Sequence, residues 1–87
     1  MSSVLFVTRA GCSMCAEAQP VVERVAAAAG VPVTVGDVDA DPVLRVWSDH
    51  VPVVLLDGVL HSRWWVEEKA LRAALGATPR ARRRPPV

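Results

Sequence analysis

A strand, a turn and a helix at the start of the chain restrict its fold more than any other feature. Residues 4–8, VLFVT, form a short run of β-branched and aromatic residues that is typical of a buried strand. From Ala18 the apolar residues recur at helical spacing, and Gly30 follows them where a glycine commonly caps a helix. A strand that leads directly into a long helix indicates an α/β protein.

The middle of the chain predicts a second strand and a short helix. Valines alternate through VPVTVGDVD, residues 31–39, as they do in strands. A strand, a helix and a second strand form a βαβ unit, whose crossover is expected to be right-handed. Asp41 followed by Pro42 is a strong helix start, with an N-cap and a proline at the first helical position, and this helix must end before Pro52.

The last third of the chain predicts a hairpin and a final helix. VVLLDGVLHSRW indicates two antiparallel strands joined at Asp57-Gly58, a dipeptide favoured in tight turns. Trp64 and Trp65 are adjacent, so they should point to opposite faces of the strand, with one of them in the core. VEEKALRAALG predicts a helix that ends at Gly76. The expected fold class is α/β, in the order β-α-β-α-β-β-α, with a four-stranded mixed sheet flanked by helices.

The length of 87 residues supports one domain with a modest core. We assign residues 1–76 to this domain and residues 77–87 to a basic, proline-containing tail that we expect to be disordered. The four arginines of the tail outweigh the net charge of +1, so the rest of the chain is mildly acidic, and nucleic acid is not an expected partner. Membrane spans and a secretory signal are not apparent. We expect a monomeric, cytoplasmic protein that does not bind membranes.

Cys12 and Cys15 are the only cysteines, and they stand at the start of the first helix in the sequence GCSMC. In the cytosol a disulfide is usually transient and catalytic. A thiol at a helix N-terminus lies among unpaired backbone N–H groups at the positive end of the helix dipole, which favours the thiolate. Arg9, just upstream, adds to this effect. A separation of three residues on a helical turn also allows the two sulfur atoms to form a disulfide.

These positions predict a dithiol exchange site. Cys12 would attack a substrate disulfide, and Cys15 would then attack the mixed disulfide to release the reduced product. Met14, between them, should be partly exposed and offer substrates an apolar contact. Two alternatives stay open on the residues alone, namely that the cysteines are small core residues or that they belong to a metal site. His50 and His61, the only histidines, do not have a familiar zinc-binding spacing.

Three segments carry a resemblance to a known family: VTRAGCSMC after the first strand, VDADP at residues 38–42, and HVPVVLLDG at residues 50–58. Over about residues 4–76 the chain resembles the glutaredoxin branch of the thioredoxin superfamily, and especially its small bacterial glutaredoxin-like members. The resemblance implies a thioredoxin-like fold and a thiol-disulfide oxidoreductase activity on protein or mixed disulfides. It also implies that Pro52 is a cis-proline facing the cysteines, and that the Val51 backbone pairs with an extended peptide or a thiol ligand.

The resemblance assigns Cys12 as nucleophile and Cys15 as resolving cysteine. The residues that it implies for substrate binding lie around the cysteines and at the proline: Arg9, Ser13, Met14, Val51 and Pro52. The chain departs from glutaredoxins at residues 62–68, SRWWVEE, where those enzymes carry a Gly-Gly and Asp signature that holds glutathione.

No bound cofactor is expected, and the partners are a disulfide-containing protein or a small thiol substrate, together with an electron donor. We expect the electron donor to be glutathione, mycothiol, another small thiol or a protein reductase. Mycothiol is included because the composition, rich in arginine, alanine and valine, is typical of a GC-rich genome. The competing class of function is a binding module of the same fold. Such a module would hold an iron–sulfur cluster, another metal or a partner protein while its thiols stay idle.

Overall fold

The structure, a computed structural model, describes residues 3–83, with side chains to residue 76. Its elements in chain order are β1 (Val4–Thr8), α1 (Ser13–Ala29), β2 (Val33–Asp37), a 3-10 helix (Pro42–Trp47), β3 (Val53–Leu56), β4 (Val59–Arg63) and α2 (Glu68–Arg83). This succession confirms the predicted order of strands and helices. The second helix is of the 3-10 type rather than an α-helix.

The sheet is four-stranded and mixed, as predicted. Its strand order is β2-β1-β3-β4, with β1 parallel to β2 and antiparallel to β3, and with β3 antiparallel to β4. The turn between β3 and β4 is formed by Asp57 and Gly58, whose φ angles are 52° and 84°. Two positive φ angles match the twist of a two-residue hairpin, which explains why an Asp-Gly pair stands there.

Helix α1 ends at Gly30, the residue predicted to cap it. Gly30 has a left-handed backbone with φ 72°, and its N–H donates to the C=O of Ala27 at 3.1 Å. The N–H of Val31 donates to the C=O of Ala26 at 2.9 Å, so carbonyls of the last turn are satisfied. Neither α-helix in the described part of the chain combines the length and hydrophobicity that a bilayer crossing requires.

Alternate residues of the central strands face two hydrophobic clusters, one on each side of the sheet. Between the sheet and the two α-helices lie, among others, Val4, Phe6, Val22, Val54, Leu71 and Leu75. On the opposite face, which the 3-10 helix covers, lie Val7, Val38, Leu44, Val53 and Leu55. Strand β1 contributes to both clusters, so its position is fixed from two sides.

Helix α2 continues past Gly76, where the sequence predicts its end, to Arg83. Gly76 does not have the positive φ of a glycine that caps a helix. A glycine inside a helix costs only about 1 kcal/mol relative to alanine, which is too little to stop it. Residues 77–83 therefore belong to the helix rather than to the predicted disordered tail, and residues 84–87 lie outside the described part of the chain.

The two adjacent tryptophans are both exposed, so the prediction that one of them is in the core is wrong. Strand β4 ends at Arg63, and Trp64 has a φ of 74°, which breaks the alternation that a continuing strand would impose. The exposed fractions of Trp64 and Trp65 are 50% and 68%. Both indole rings therefore belong to the surface of the molecule.

Candidate active site

Cys12 stands at the first turn of α1, at the end of the loop from β1. Gly11 has a φ of 81°, a turn conformation that favours glycine, and the N–H of Cys12 donates to the C=O of Arg9 at 3.3 Å. Cys12 is the N-cap of the helix, since its Sγ accepts a hydrogen bond from the N–H of Cys15 at 3.2 Å. The predicted helix start is confirmed, and a sulfur atom fills the place that an oxygen of Ser, Thr, Asp or Asn usually takes.

The pKa of the Cys12 thiol is lowered from its ordinary value. The largest cause is the hydrogen bond with the Cys15 side chain, and the backbone N–H groups of Cys15 and Met14 act in the same direction. Partial burial of Cys12 opposes these effects, and the positive charge of Arg9 makes a smaller favourable contribution. Donors that converge on one sulfur atom favour the thiolate because they stabilise its negative charge.

Cys15 has the opposite properties. It is 2% exposed, and burial raises the pKa of its thiol, with a further rise caused by the neighbouring Cys12. A hydrogen bond with the Thr8 side chain offsets part of this rise. Both cysteines are free thiols in the structure, and they form an asymmetric pair, with a half-buried Cys12 that favours the thiolate and a buried Cys15 that favours the neutral thiol.

Arg9, the predicted cation of the site, lines a surface pocket of about 290 Å³ together with Cys12 and Cys15. Its Nε and Nη2 atoms donate to the two carboxylate oxygens of Asp39, each at 3.0 Å. Its Nη1 atom donates to the C=O of Ser48 at 3.2 Å. The hydrogen bond from Arg9 lowers the pKa of Asp39. The charge of Arg9 is thus shared between the cysteine site and a carboxylate that the sequence did not indicate.

Val51 and Pro52 lie at the same end of the sheet as the cysteines, and the peptide bond between them is cis. The β1–β3 register pairs Val7 with Val53, so one residue further along it places Pro52 opposite Thr8, the residue that contacts Cys15. Pro52 is buried and Val51 is half-buried. Within residues 3–83 the backbone N–H and C=O of Val51 have no hydrogen-bond partner.

Ser13 and Met14 form the exposed first turn of α1, and Met14 is 46% exposed, which agrees with the expectation that it is partly exposed. Met14 lies in a groove of about 220 Å³ that it shares with Trp65 and Val66. Trp65 was missed as a residue of the site because the sequence pattern predicted one of the two tryptophans in the core. Its exposed ring gives the groove an apolar wall beside the cysteine turn.

Trp64 ties the end of β4 to the loop that precedes Pro52. Its backbone N–H is shared between the C=O groups of His50 and Pro52, at 3.0 and 2.9 Å, and its indole N–H donates to the C=O of Asp49 at 3.1 Å. The ring of His50 packs between Trp47 and Trp64, with centroid distances of 6.2 and 5.8 Å. His50 is therefore a packed residue of this loop that helps to position Val51 and Pro52.

Groups of three or more His, Cys, Asp or Glu side chains that could hold a metal ion do not occur among residues 3–83. Cys12 and Cys15 are the sulfur donors of the site. A metal or cluster held by them would need its remaining ligands from another molecule.

The mixed four-stranded sheet, the helix that begins at a CxxC pair and the proline across from it define a protein of the thioredoxin fold with a two-cysteine site. Solved structures agree on the fold: one described as a malarial protein has a TM-score of 0.68 at 19% identity and covers 86% of this chain and 92% of its own. The oxidised thioredoxin from Plasmodium falciparum has a TM-score of 0.60 at 15% identity, with coverages of 85% and 77%.

The chain belongs to the glutaredoxin-like domain family (DUF836), whose model matches residues 3–76. It is similar to proteins described as uncharacterized from Mycobacterium bovis and Mycobacterium tuberculosis. Each is 40% identical to this chain over 76 residues, which cover 80% of this chain and 78% of the relative. The resemblance read from the sequence is therefore confirmed at the level of the family and the fold.

Proposed function

We propose that this protein is a glutaredoxin-like thiol-disulfide oxidoreductase that reduces protein or mixed disulfides. The observation that carries the proposal is the asymmetry of the cysteine pair at the start of α1. Cys12 has a lowered pKa and is accessible, whereas Cys15 has a raised pKa and is buried. Dithiol exchange needs an accessible thiolate that attacks the substrate and a second, neutral thiol nearby that resolves the mixed disulfide.

In the first step the Cys12 thiolate attacks one sulfur atom of a substrate disulfide, R–S–S–R′. A bond forms between Cys12 Sγ and the sulfur of R, the substrate S–S bond breaks, and R′–S⁻ leaves and takes a proton from water. The Cys12 sulfur is now neutral. Burial still raises the pKa of Cys15, but the further rise caused by a negative Cys12 has then gone, so Cys15 becomes a better nucleophile at the moment when it is needed.

In the second step Cys15 loses its proton to solvent and attacks the Cys12 sulfur. The Cys12–Cys15 disulfide forms, R–S⁻ leaves and is protonated, and two electrons have passed from the protein to the substrate. Two molecules of a small thiol, such as glutathione or mycothiol, or the two thiols of a protein reductase restore the dithiol by the reverse exchange. They supply two electrons and leave as a disulfide. A protein that cycles between these states suits the reducing cytosol, where we place it as a monomer.

Substrate contacts are proposed for the residues around the pair. The unpaired backbone groups of Val51 would accept an extended segment of the substrate in the manner of an added strand, with Pro52 shaping the groove. Ser13 and Met14 flank Cys12 on its exposed turn, and Arg9 lines the pocket on the other side.

The test is the redox equilibrium of the full chain in dithiothreitol buffers, with free thiols trapped and the protein mass measured. We expect a reversible two-electron couple in the wild type and no exchange in Cys12→Ser. Cys15→Ser, treated with the disulfide of a monothiol such as glutathione, should keep a mixed disulfide on Cys12, because a monothiol, unlike dithiothreitol, cannot leave by closing a ring. Failure of the wild type to form the Cys12–Cys15 disulfide would overturn the proposal. If the same sample instead took up iron and sulfide and absorbed visible light, the binding-module alternative would replace it.

A further inference from the structure

Arg9 is held beside the cysteine pair by the fold itself. The parallel register of β1 and β2 pairs Thr8 with Asp37, so Arg9 and Asp39 leave neighbouring strands at the same end of the sheet. The backbone N–H of Asp39 donates to a carboxylate oxygen of Asp37 at 2.8 Å, which fixes the turn. With the carbonyl of Ser48 on the third nitrogen, the guanidinium of Arg9 has a partner at each of its nitrogen atoms.

The two-pronged contact with Asp39 is the geometry in which a guanidinium binds a carboxylate ligand. An anionic small thiol that approached Arg9 would meet a guanidinium whose charge is already balanced by the Asp39 carboxylate. A cationic or neutral ligand would not compete with Asp39 for Arg9. The ion pair thus weakens the attraction of Arg9 for an anionic ligand while its side chain stays beside the cysteines.

The charged groups that interact around Arg9 also carry a net negative charge. Asp37 lines the pocket with Cys12. The charge of Asp49, in the loop before Pro52, acts on Arg9, and the charge of Arg45, in the 3-10 helix, acts on Asp39. The charged groups that act on one another here come from four segments of the chain: Arg9, Asp37, Asp39, Arg45 and Asp49. Three carboxylates against two guanidinium groups leave one negative charge in excess.

We propose that Asp39 sets the charge selectivity of the cysteine site, so that it reacts with cationic and neutral disulfides in preference to anionic ones. Asp39 acts through Arg9 and is a positioning residue. The statement that the substrates are disulfides rests on the proposed function.

The test compares the alkylation of Cys12 by iodoacetate, an anion, and by iodoacetamide, which is neutral and of similar size, in the reduced full chain. Rates are followed by mass spectrometry of the Cys12 peptide. Both reagents attack the thiolate, so the ratio of the two rates does not depend on the fraction of thiolate or on the pKa of Cys12. Only the charge that the reagent meets near the sulfur changes the ratio.

We expect Asp39→Asn to raise the ratio of iodoacetate to iodoacetamide rates about two- to threefold at low salt, the order of effect that a unit charge several ångströms from the reacting atoms has in water. The rise should shrink at high salt, which a structural change would not produce. Arg9→Gln should lower the ratio. Asp57→Asn is the control, since it removes one exposed carboxylate in the β3–β4 turn, at the opposite end of the sheet from Thr8, and it should leave the ratio unchanged.

An unchanged ratio in Asp39→Asn, or an equal rise in Asp57→Asn, would overturn the assignment to Asp39. The substrate class is tested with cystamine, a cationic disulfide, and dithiodiglycolate, an anionic one. The two leaving thiols differ in reactivity, so the ratio of the cystamine rate to the dithiodiglycolate rate is compared between proteins. The ratio should be larger in the reduced wild type than in Asp39→Asn, and equal ratios would overturn the selectivity.

Alkylation does not require a disulfide to form, so the two proposals fail separately. A shifted ratio without a Cys12–Cys15 couple would remove the proposed function and keep the role of Asp39. A reversible Cys12–Cys15 couple with an unchanged ratio of alkylation rates in Asp39→Asn would keep the proposed function and remove the role of Asp39.

Discussion

Replacement of Cys12 by serine and by alanine separates its two roles. The Cys12 sulfur is the N-cap acceptor of α1, with the N–H of Cys15 at 3.2 Å, and it is also the proposed nucleophile. Both substitutions remove the thiol, so both should abolish exchange. Only alanine removes the cap, because the serine hydroxyl accepts the same hydrogen bond.

The expected difference follows from the loss of one capping hydrogen bond. Exchanging a capping side chain for alanine typically costs about 1 kcal/mol, within a range of about 0.5–2 kcal/mol. In a domain of this size about 1 kcal/mol corresponds to about 4–8 °C in the melting temperature. Cys12→Ala should therefore melt several degrees below the reduced wild type, and Cys12→Ser at or above it.

The assay is thermal and urea unfolding by circular dichroism, with dithiothreitol present so that the wild type stays reduced. Equal stability of Cys12→Ala and Cys12→Ser would refute the argument, because the sulfur would then not be capping the helix. A large loss of stability in both variants would show instead that Cys12 acts as a core residue. Either result would remove the local reason for a stabilised thiolate at this position.

The folded pKa of Cys12 is depressed, so it contributes stability that is present above the unfolded thiol pKa of about 8.5 and is lost as the pH falls through the folded pKa. The reduced wild type should therefore gain stability over Cys12→Ser as the pH rises through this window; a flat difference in urea titrations would contradict this. Gly76→Ala should stabilise the protein by about 0.5–1 kcal/mol, since α2 continues through it. Gly30→Ala should destabilise it by about 1 kcal/mol because of its φ of 72°. Thermal melts compare the two variants, and a loss of stability in Gly76→Ala would mean that the helix ends there. Leu71→Ala should cost about 2–5 kcal/mol in urea unfolding, because it empties a fully buried position between α2, α1 and the sheet, and a cost below about 1 kcal/mol would rule out this packing.

The parts of the fold that the sequence predicts are those set by local chemistry. The first strand, the cap at Gly30 and the turn at Asp57-Gly58 each follow from residues that are neighbours in the chain, and the structure has all three. The start of α1 at Cys12 belongs to the same group. Because these local signals fix the order of elements, the sheet topology could also be inferred.

The features that the sequence did not predict depend on contacts across the chain. The pair Arg9–Asp39 joins residues 30 positions apart, and it exists only because β1 and β2 are parallel in a particular register. The position of Trp65 depends on the left-handed backbone of Trp64, which a residue other than glycine rarely adopts. At Gly76 the local sequence predicts the end of a helix, but α2 continues through this residue to Arg83.

The central position of β1 has a consequence for how the molecule opens. This strand is bonded to a neighbour on each side, whereas β2 and β4 form the edges of the sheet. Amide hydrogens of edge strands exchange with solvent through local fluctuations, while those of a central strand exchange only when most of the domain unfolds. The loop that holds Cys12 starts from the end of β1. Local unfolding of an edge strand therefore leaves β1 and the loop of Cys12 in place. The cysteine site loses its structure only when the unit that contains β1 unfolds.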